Sequence, residues 1–333
     1  MQAWEAAKNA LENVLEAAPK EHIVIVCDAE KIDVGKAFEK GALSLGLKTT
    51  LVVLAKPQTP RKEIPQKLQQ VLTQKVDIFI NLLSGNREET PFRIKLIKKQ
   101  TSDHKSRLGH CPGVTIDMLT DGALALTATE HEQIQSLATN LMKTLEDTVT
   151  VHITTRKGTD LTLSVKDRQF FTDTKLNWET MKWMNLPTGE VIVAPVEDSL
   201  NGKLVCDMAV GGIGKLRKPI EVVAENGKVK TVSCEDPDHL RKIKATFATD
   251  EWADVVGEFA LGINKKARFI EEFLETEKMF ATVHVAFGAN TDMPQGKNPS
   301  KNHMDLLMSE PTVTVIKMGG QSFTILENGK FCV

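Results

Sequence analysis

Residues 76–83 read Val76-Asp77-Ile78-Phe79-Ile80-Asn81-Leu82-Leu83, a short, mostly apolar run closed by the turn formers Ser84-Gly85-Asn86. A run of this length and β-branched content reads as a strand buried on both faces. Upstream, residues 22–27 (His-Ile-Val-Ile-Val-Cys) and 47–55 (Leu-Lys-Thr-Thr-Leu-Val-Val-Leu-Ala) have the same character. Segments 1–18, 35–45 and 61–73 carry helical periodicity. Strands alternating with helices are the pattern of a parallel sheet covered by helices, which predicts an N-terminal α/β, doubly wound domain.

Past the helix expected over 130–147, the pattern changes. Strand-like segments at 149–155, 160–165, 190–194, 203–209, 220–224 and 228–233 are separated by Gly, Asn and Pro. Glu225-Asn226-Gly227-Lys228 is a hairpin signal. Helices are expected again only at 238–246, 267–275 and around His303. The second half therefore reads as an α+β domain on a largely antiparallel sheet. The 333 residues exceed what one core commonly supports, so two domains are expected, 1–148 and 149–333.

Forty-two basic residues against 44 acidic ones leave a formal net charge of −2. That balance provides no field to recruit nucleic acid or anionic lipid. No run approaches the roughly 20 apolar residues that span a bilayer, and Met1-Gln2-Ala3-Trp4-Glu5 lacks the basic-then-apolar order of a signal peptide. A cytoplasmic protein is expected. Cys27, Cys111, Cys206, Cys234 and Cys332 show no C-x-x-C spacing, which argues against a disulfide framework or a thiolate zinc site. The absence of tyrosine excludes any mechanism that needs a phenol. Gly211-Gly212-Ile213-Gly214-Lys215 lacks both phosphate-loop spacings and reads as a turn; no G-x-S-x-G pattern supports covalent serine hydrolysis. Ser84-Gly85-Asn86 follows a strand where open α/β sheets bind ligands.

Residues of metal-ligand type gather near the C-terminus. In Gly257-Glu258-Phe259-Ala260-Leu261-Gly262 the face of Glu258 carries Ala260 and Gly262; in Ala281-Thr282-Val283-His284-Val285-Ala286-Phe287 the face of His284 carries Thr282 and Ala286. Both polar groups have room beside them, and both need a partner if buried. His303 and Asp305 would diverge by roughly 200° on a helix and align on extended backbone. They are expected at the start of a helix capped by Ser300 or Asn302. Glu190 opens a strand after Asn185-Leu186-Pro187-Thr188-Gly189. Nitrogen and oxygen donors without sulfur suit zinc, cobalt, manganese, iron or magnesium.

These words, in this order, with Leu261-Gly262-Ile263-Asn264 after Glu258, Glu277-Lys278 ahead of His284 and Ser300 ahead of His303-Met304-Asp305, resemble the thermophilic-type metalloaminopeptidase family (leucyl aminopeptidase, aminopeptidase T and aminopeptidase S). The resemblance implies a centre of two divalent ions (Zn, Co, Mn or Mg) that removes N-terminal residues from peptides. It implies Glu190, Glu258, His284, His303 and Asp305 as ligands, with Glu190 or Glu258 as general base. It also implies a homodimer acting on peptides or small molecules, with no nucleic-acid or membrane partner. One departure stands out. The family has a tyrosine ligand after the first histidine, where this chain has Gly288-Ala289-Asn290-Thr291-Asp292; Thr291 is its counterpart, and Asn290 or Asp292 could replace it. A second resemblance, to pyridine-diol ring-cleaving dioxygenases, implies one Fe(II) on His284, His303 and Asp305, with His110 of Gly109-His110-Cys111-Pro112-Gly113 as acid/base. A third reading is a non-catalytic relative that binds a metal or a small molecule.

Overall fold

The computed structural model describes residues 1–102, 106–177 and 181–332. They form two compact units. The first comprises Met1–Gln135, Asp173–Thr188 and Lys266–Arg268, the second Ser136–Thr172, Gly189–Lys265 and Phe269–Val333.

The first unit is built on a five-stranded, all-parallel sheet in the order Lys48–Leu54, His22–Asp28, Ile78–Leu82, Arg107–His110, Trp183–Asn185. Every residue of Ile78–Leu82 is buried, as a strand covered on both faces requires. Helices Ala3–Asn13, Ile32–Ser44 and Thr90–Gln100 alternate with the strands. The expected helix over 61–73 is reduced to Gln66–Val71. Pro65 sets its start, because a proline disfavours helical backbone at the residue before it. Arg61 is held elsewhere, its guanidinium bonded to Asp28 Oδ1 at 2.6 Å and Glu89 Oε2 at 2.7 Å. The division is not a cut at 148/149: Trp183–Asn185 is the fifth parallel strand, so 173–188 belongs to the first unit.

The second unit carries two antiparallel sheets. One has eight strands in the order Lys228–Cys234, Ile220–Glu225, Asn201–Cys206, Asp160–Ser164, Thr148–Thr154, Thr312–Lys317, Ser322–Glu327, Lys330–Phe331. The expected hairpin is there, Asn226 and Gly227 turning with φ of 50° and 77° between paired strands. The other sheet has seven strands in the order Gly214–Lys215, Ala209–Val210, His303–Met308, Val283–Gly288, Val256–Gly262, Glu190–Val193, Phe171–Thr172. Its central strands Val256–Gly262 and Val283–Gly288 are buried at every position.

Two helix expectations fail in this unit. The segment 267–275 contributes only the short helix Phe273–Thr276. His303 opens a strand, not a helix, because its backbone pairs with Val283–Gly288. Ser300, read as a cap, instead closes a turn, its hydroxyl donating to Asp250 Oδ1 at 2.9 Å while the Lys301 amide donates to Asp250 Oδ2 at 2.8 Å. Among the described residues no helix is long and apolar enough to cross a membrane.

Candidate metal centre

Residues opposite one another on neighbouring antiparallel strands point to the same face of a sheet. In the seven-stranded sheet Glu258 lies opposite Ala286, which lies opposite Asp305; Ala260 lies opposite His284, Gly262 opposite Glu190, and Gly288 opposite His303. Each polar residue therefore faces an alanine or glycine on the next strand, and the space left by those small residues is where the five side chains converge. Replacing Ala286, which lies between Glu258 and Asp305, should close that space. Ala286→Leu is expected to fold with little change in its circular dichroism and to lose metal binding; metal uptake equal to that of the parent would show that the space is not needed.

The side chains meet closely. His284 Nε2 donates to Glu258 Oε1 at 3.1 Å and lies 3.5 Å from Glu190 Oε1 and 3.8 Å from Asp305 Oδ1. His303 Nε2 lies 3.2 Å from Glu258 Oε2 and 3.1 Å from Asp305 Oδ1. One ligand atom each from Glu258, His284 and Asp305 fall within 4.8 Å of one another. The second ring nitrogen of His303 donates to the Ala289 carbonyl at 2.8 Å, an arrangement that leaves Nε2 for the centre. Glu190 is buried like Glu258 and His284, its Oε2 bonded to the buried Lys278 ammonium, which also contacts Glu277 Oε1 at 2.9 Å.

Burial alone would lower the pKa of His284, but Glu190, Glu258 and Asp305 outweigh it and raise it to about 9. His303, whose ring is 32% exposed where that of His284 is 1%, is carried well above its ordinary value by Asp305 and Glu258 against the cost of burial. Burial pushes Glu258 and Asp305 upward, yet the imidazoles hold both below the usual carboxylate range. Burial raises Glu277 to about 7, Asp305 adding to it and Lys278 opposing. Without metal the centre is thus a set of imidazolium–carboxylate pairs, the protonated counterpart of a cation site. Buried nitrogen and oxygen donors that need positive charge among them fit a divalent ion.

The remaining expectations divide. Asn290 is not a replacement ligand: its amide donates to the Gly257 carbonyl at 3.0 Å, and its oxygen accepts from the Asn298 amide at 2.7 Å. Thr291 and Asp292 are exposed and have no hydrogen bond among the described residues. His110 belongs to the first unit, at the end of the strand Arg107–His110. Burial, helped by the Arg93 charge, lowers its pKa to about 3, so it is neutral at pH 7. Ser84 and Asn86 line a small cavity of about 170 Å³ in that unit, together with Asp28, Arg61 and Glu89.

Two residues were missed as parts of the centre. Lys278 carried no signal of its own beyond its place in a family word. Gly211, read as part of a turn, passes against Asp305: its amide donates to the Asp305 carbonyl at 2.9 Å, and a Cβ there would lie 3.0 Å from Asp305 Oδ2. The glycine-rich composition was the available signal, since such runs often mark close backbone approach.

The family model of the thermophilic metalloproteases (M29) matches residues 127–331, more than half of the sequence and nearly all of the second unit. The chain belongs to this family. Membership makes it a metalloprotease-type hydrolase, in line with the metal-dependent hydrolase that the sequence resemblance implied. In fold it is similar to 2,5-dihydroxypyridine dioxygenase from Pseudomonas putida KT2440, with a TM-score of 0.73 and 13% identity over 100% of this chain and 97% of that one. It is also similar to wild-type AmpT from Thermus thermophilus, with a TM-score of 0.70 and 16% identity over 100% of this chain and 99% of that one. Both likenesses are of fold. No curated protein matches.

Proposed function

We propose that the protein is a two-metal aminopeptidase in which Glu258 bridges the two positions. The observation that carries this is the division of its carboxylate, with Oε1 at 3.1 Å from His284 Nε2 and Oε2 at 3.2 Å from His303 Nε2. Donors held about 2.1 Å from one cation stand about 3–3.5 Å apart, so these contacts have the dimensions of ligand edges. His284, Glu258 and Asp305 would hold one ion, and His303, Glu258 and Asp305 the other. Divalent cations bound there supply an acidified water and polarise the scissile carbonyl.

Glu258 is committed to both imidazoles, so the water's proton falls to Glu190, whose Oε1 lies 3.5 Å from His284 Nε2. Asp305 is fixed by the backbone of Gly211 and by its strand pairing, which keeps its oxygens between the two histidines. The missing tyrosine is left without a substitute in the 288–292 segment, and the reading rests on the five residues that remain. The same reading makes the protein a cytoplasmic homodimer acting on short peptides, leucyl substrates among them.

Metal content after equilibration with Zn(II), Co(II), Mn(II) and anaerobic Fe(II), followed by a panel of aminoacyl-nitroanilides and short peptides, tests it. Two equivalents and release of N-terminal residues are expected. One tightly held iron, with oxygen uptake on dihydroxypyridine, would replace this reading by the dioxygenase one, which uses His284, His303 and Asp305 and leaves Glu258 without a role. Uptake of metal without turnover of any substrate would leave the binding protein.

A further inference from the structure

We propose that Asn290 is a positioning residue that orients the His303 ring, so that Nε2 is the nitrogen offered to the metal. The inference deepens the reading above and rests on His303 being a ligand. The His303 side chain is partly exposed, so packing does not hold its ring as it holds that of buried His284. A histidine ring turns about its last side-chain bond over a broad, two-fold range, and a half turn would carry Nε2 away from Glu258 and Asp305. The hydrogen bond from Nδ1 to the Ala289 carbonyl at 2.8 Å is therefore what fixes the ring.

That carbonyl belongs to the peptide joining Ala289 to Asn290. The peptide is trans, and in a planar trans peptide the C=O and N–H point in opposite directions. Whatever holds the Asn290 N–H thus aims the carbonyl. The N–H donates to the Asn298 carbonyl at 3.1 Å, and the side chain doubles this contact, its Oδ1 accepting from the Asn298 N–H at 2.7 Å. The Ala289 N–H, which donates to the Asn302 carbonyl at 2.6 Å, anchors only the preceding peptide. Asn290 Nδ2 donates to the carbonyl of Gly257, the neighbour of Glu258, at 3.0 Å, and to Glu197 Oε1 at 3.3 Å. Glu197 is itself fixed, by Arg168 at 2.6 Å and by the Lys297 amide at 2.8 Å. The carboxamide has one workable orientation, because the Asn298 N–H must meet its oxygen and the Gly257 carbonyl its NH2. Asn290 is fully buried with its side-chain nitrogen and oxygen both paired. One side chain thus links the strand bearing Glu258 to the carbonyl that orients His303. Without the carboxamide, Gly257 and Asn298 lose buried partners, the 289–290 peptide is free to turn, and Nδ1 loses its acceptor.

The parent protein, Asn290→Leu and Asn290→Asp are labelled with nitrogen-15 histidine, titrated with Zn(II) and compared by long-range proton–nitrogen spectra. His303→Gln identifies the His303 signals. Leucine keeps the size of the side chain without its hydrogen bonds, and aspartate keeps the acceptor and loses the donor. In the parent, His303 should bind zinc through Nε2 and carry on Nδ1 a proton that exchanges slowly with water. In both variants that exchange should quicken about tenfold or more and one zinc equivalent should bind about 10–100-fold more weakly, the usual loss when the partner behind a metal-bound histidine is removed. The His284 signals should stay as in the parent. Lower thermal stability with unchanged His303 signals and zinc affinity would make Asn290 a loop-closing residue only and overturns the proposal. His303 signals that do not respond to zinc in the parent overturn its role as ligand instead, so the two failures appear in different proteins. If neither variant folds, Asn290→Ser, which keeps a short hydroxyl, is read by the same criterion.

Discussion

Glu258→Gln is expected to abolish turnover of aminoacyl-nitroanilides, lowering kcat/KM by about 10³-fold or more, or about 4 kcal/mol of transition-state stabilisation. The substitution keeps the size of the side chain and removes its charge. One of its two arms becomes an NH2 donor, which cannot face an imidazole nitrogen or a cation as an acceptor. Because each oxygen of Glu258 serves a different histidine, both positions should suffer together, and the metal content should fall below two equivalents per chain. Asp305→Asn should behave likewise. Unchanged turnover in Glu258→Gln would remove this residue from the site, and full metal content with lost turnover would move it from ligand to proton carrier.

Removing the metal should make the stability of the protein depend on pH in a defined window. The folded pKa of His284 is about 9 against an ordinary 6.5. A raised imidazole pKa stabilises the fold fully below about 6.5, where both folded and unfolded states are protonated. The contribution is lost as pH rises through about 9. With each pKa unit worth about 1.4 kcal/mol, roughly 3 kcal/mol should disappear across that interval; His303, raised in the same direction, adds to it. The metal-loaded protein should not show this loss, since its imidazoles are already neutral ligands. The companion expectation is that metal binding at pH 7 releases protons, with affinity rising about tenfold per pH unit for each proton displaced. Thermal melts with and without chelator at pH 6.5, 8 and 9.5, and calorimetric titration in buffers of different ionisation enthalpy, measure both. Melting curves that run parallel with and without metal would show that the imidazoles are not protonated in the metal-free centre.

Much of the centre was legible because a strand has a period of two. Glu258 with Ala260 and Gly262, and His284 with Ala286, announce a polar group on a face cleared of bulk, and the burial of both strands agrees. The alternation around residues 22–27, 47–55 and 76–83 likewise predicted a parallel sheet, because a strand covered on both faces must be apolar throughout. Where the reading went wrong, a local signal competed with a distant partner. Ser300 and Asn302 look like helix caps, but the backbone of His303–Met308 finds its hydrogen bonds on Val283–Gly288. Trp183–Asn185 has no local mark that sends it back to the first sheet.

Sequence by itself thus determined the class of each half, the residue types that gather at the candidate centre and the family, since these depend on periodicity and on local words. Only the tertiary structure decided which strand lies beside which. That in turn decided that Ala286 separates Glu258 from Asp305, that Glu258 serves two histidines, and that Lys278 reaches Glu190 from 88 positions away. The physical reason is that side-chain direction along a strand is fixed within a few residues, whereas register and neighbours are set by contacts between segments far apart in the chain.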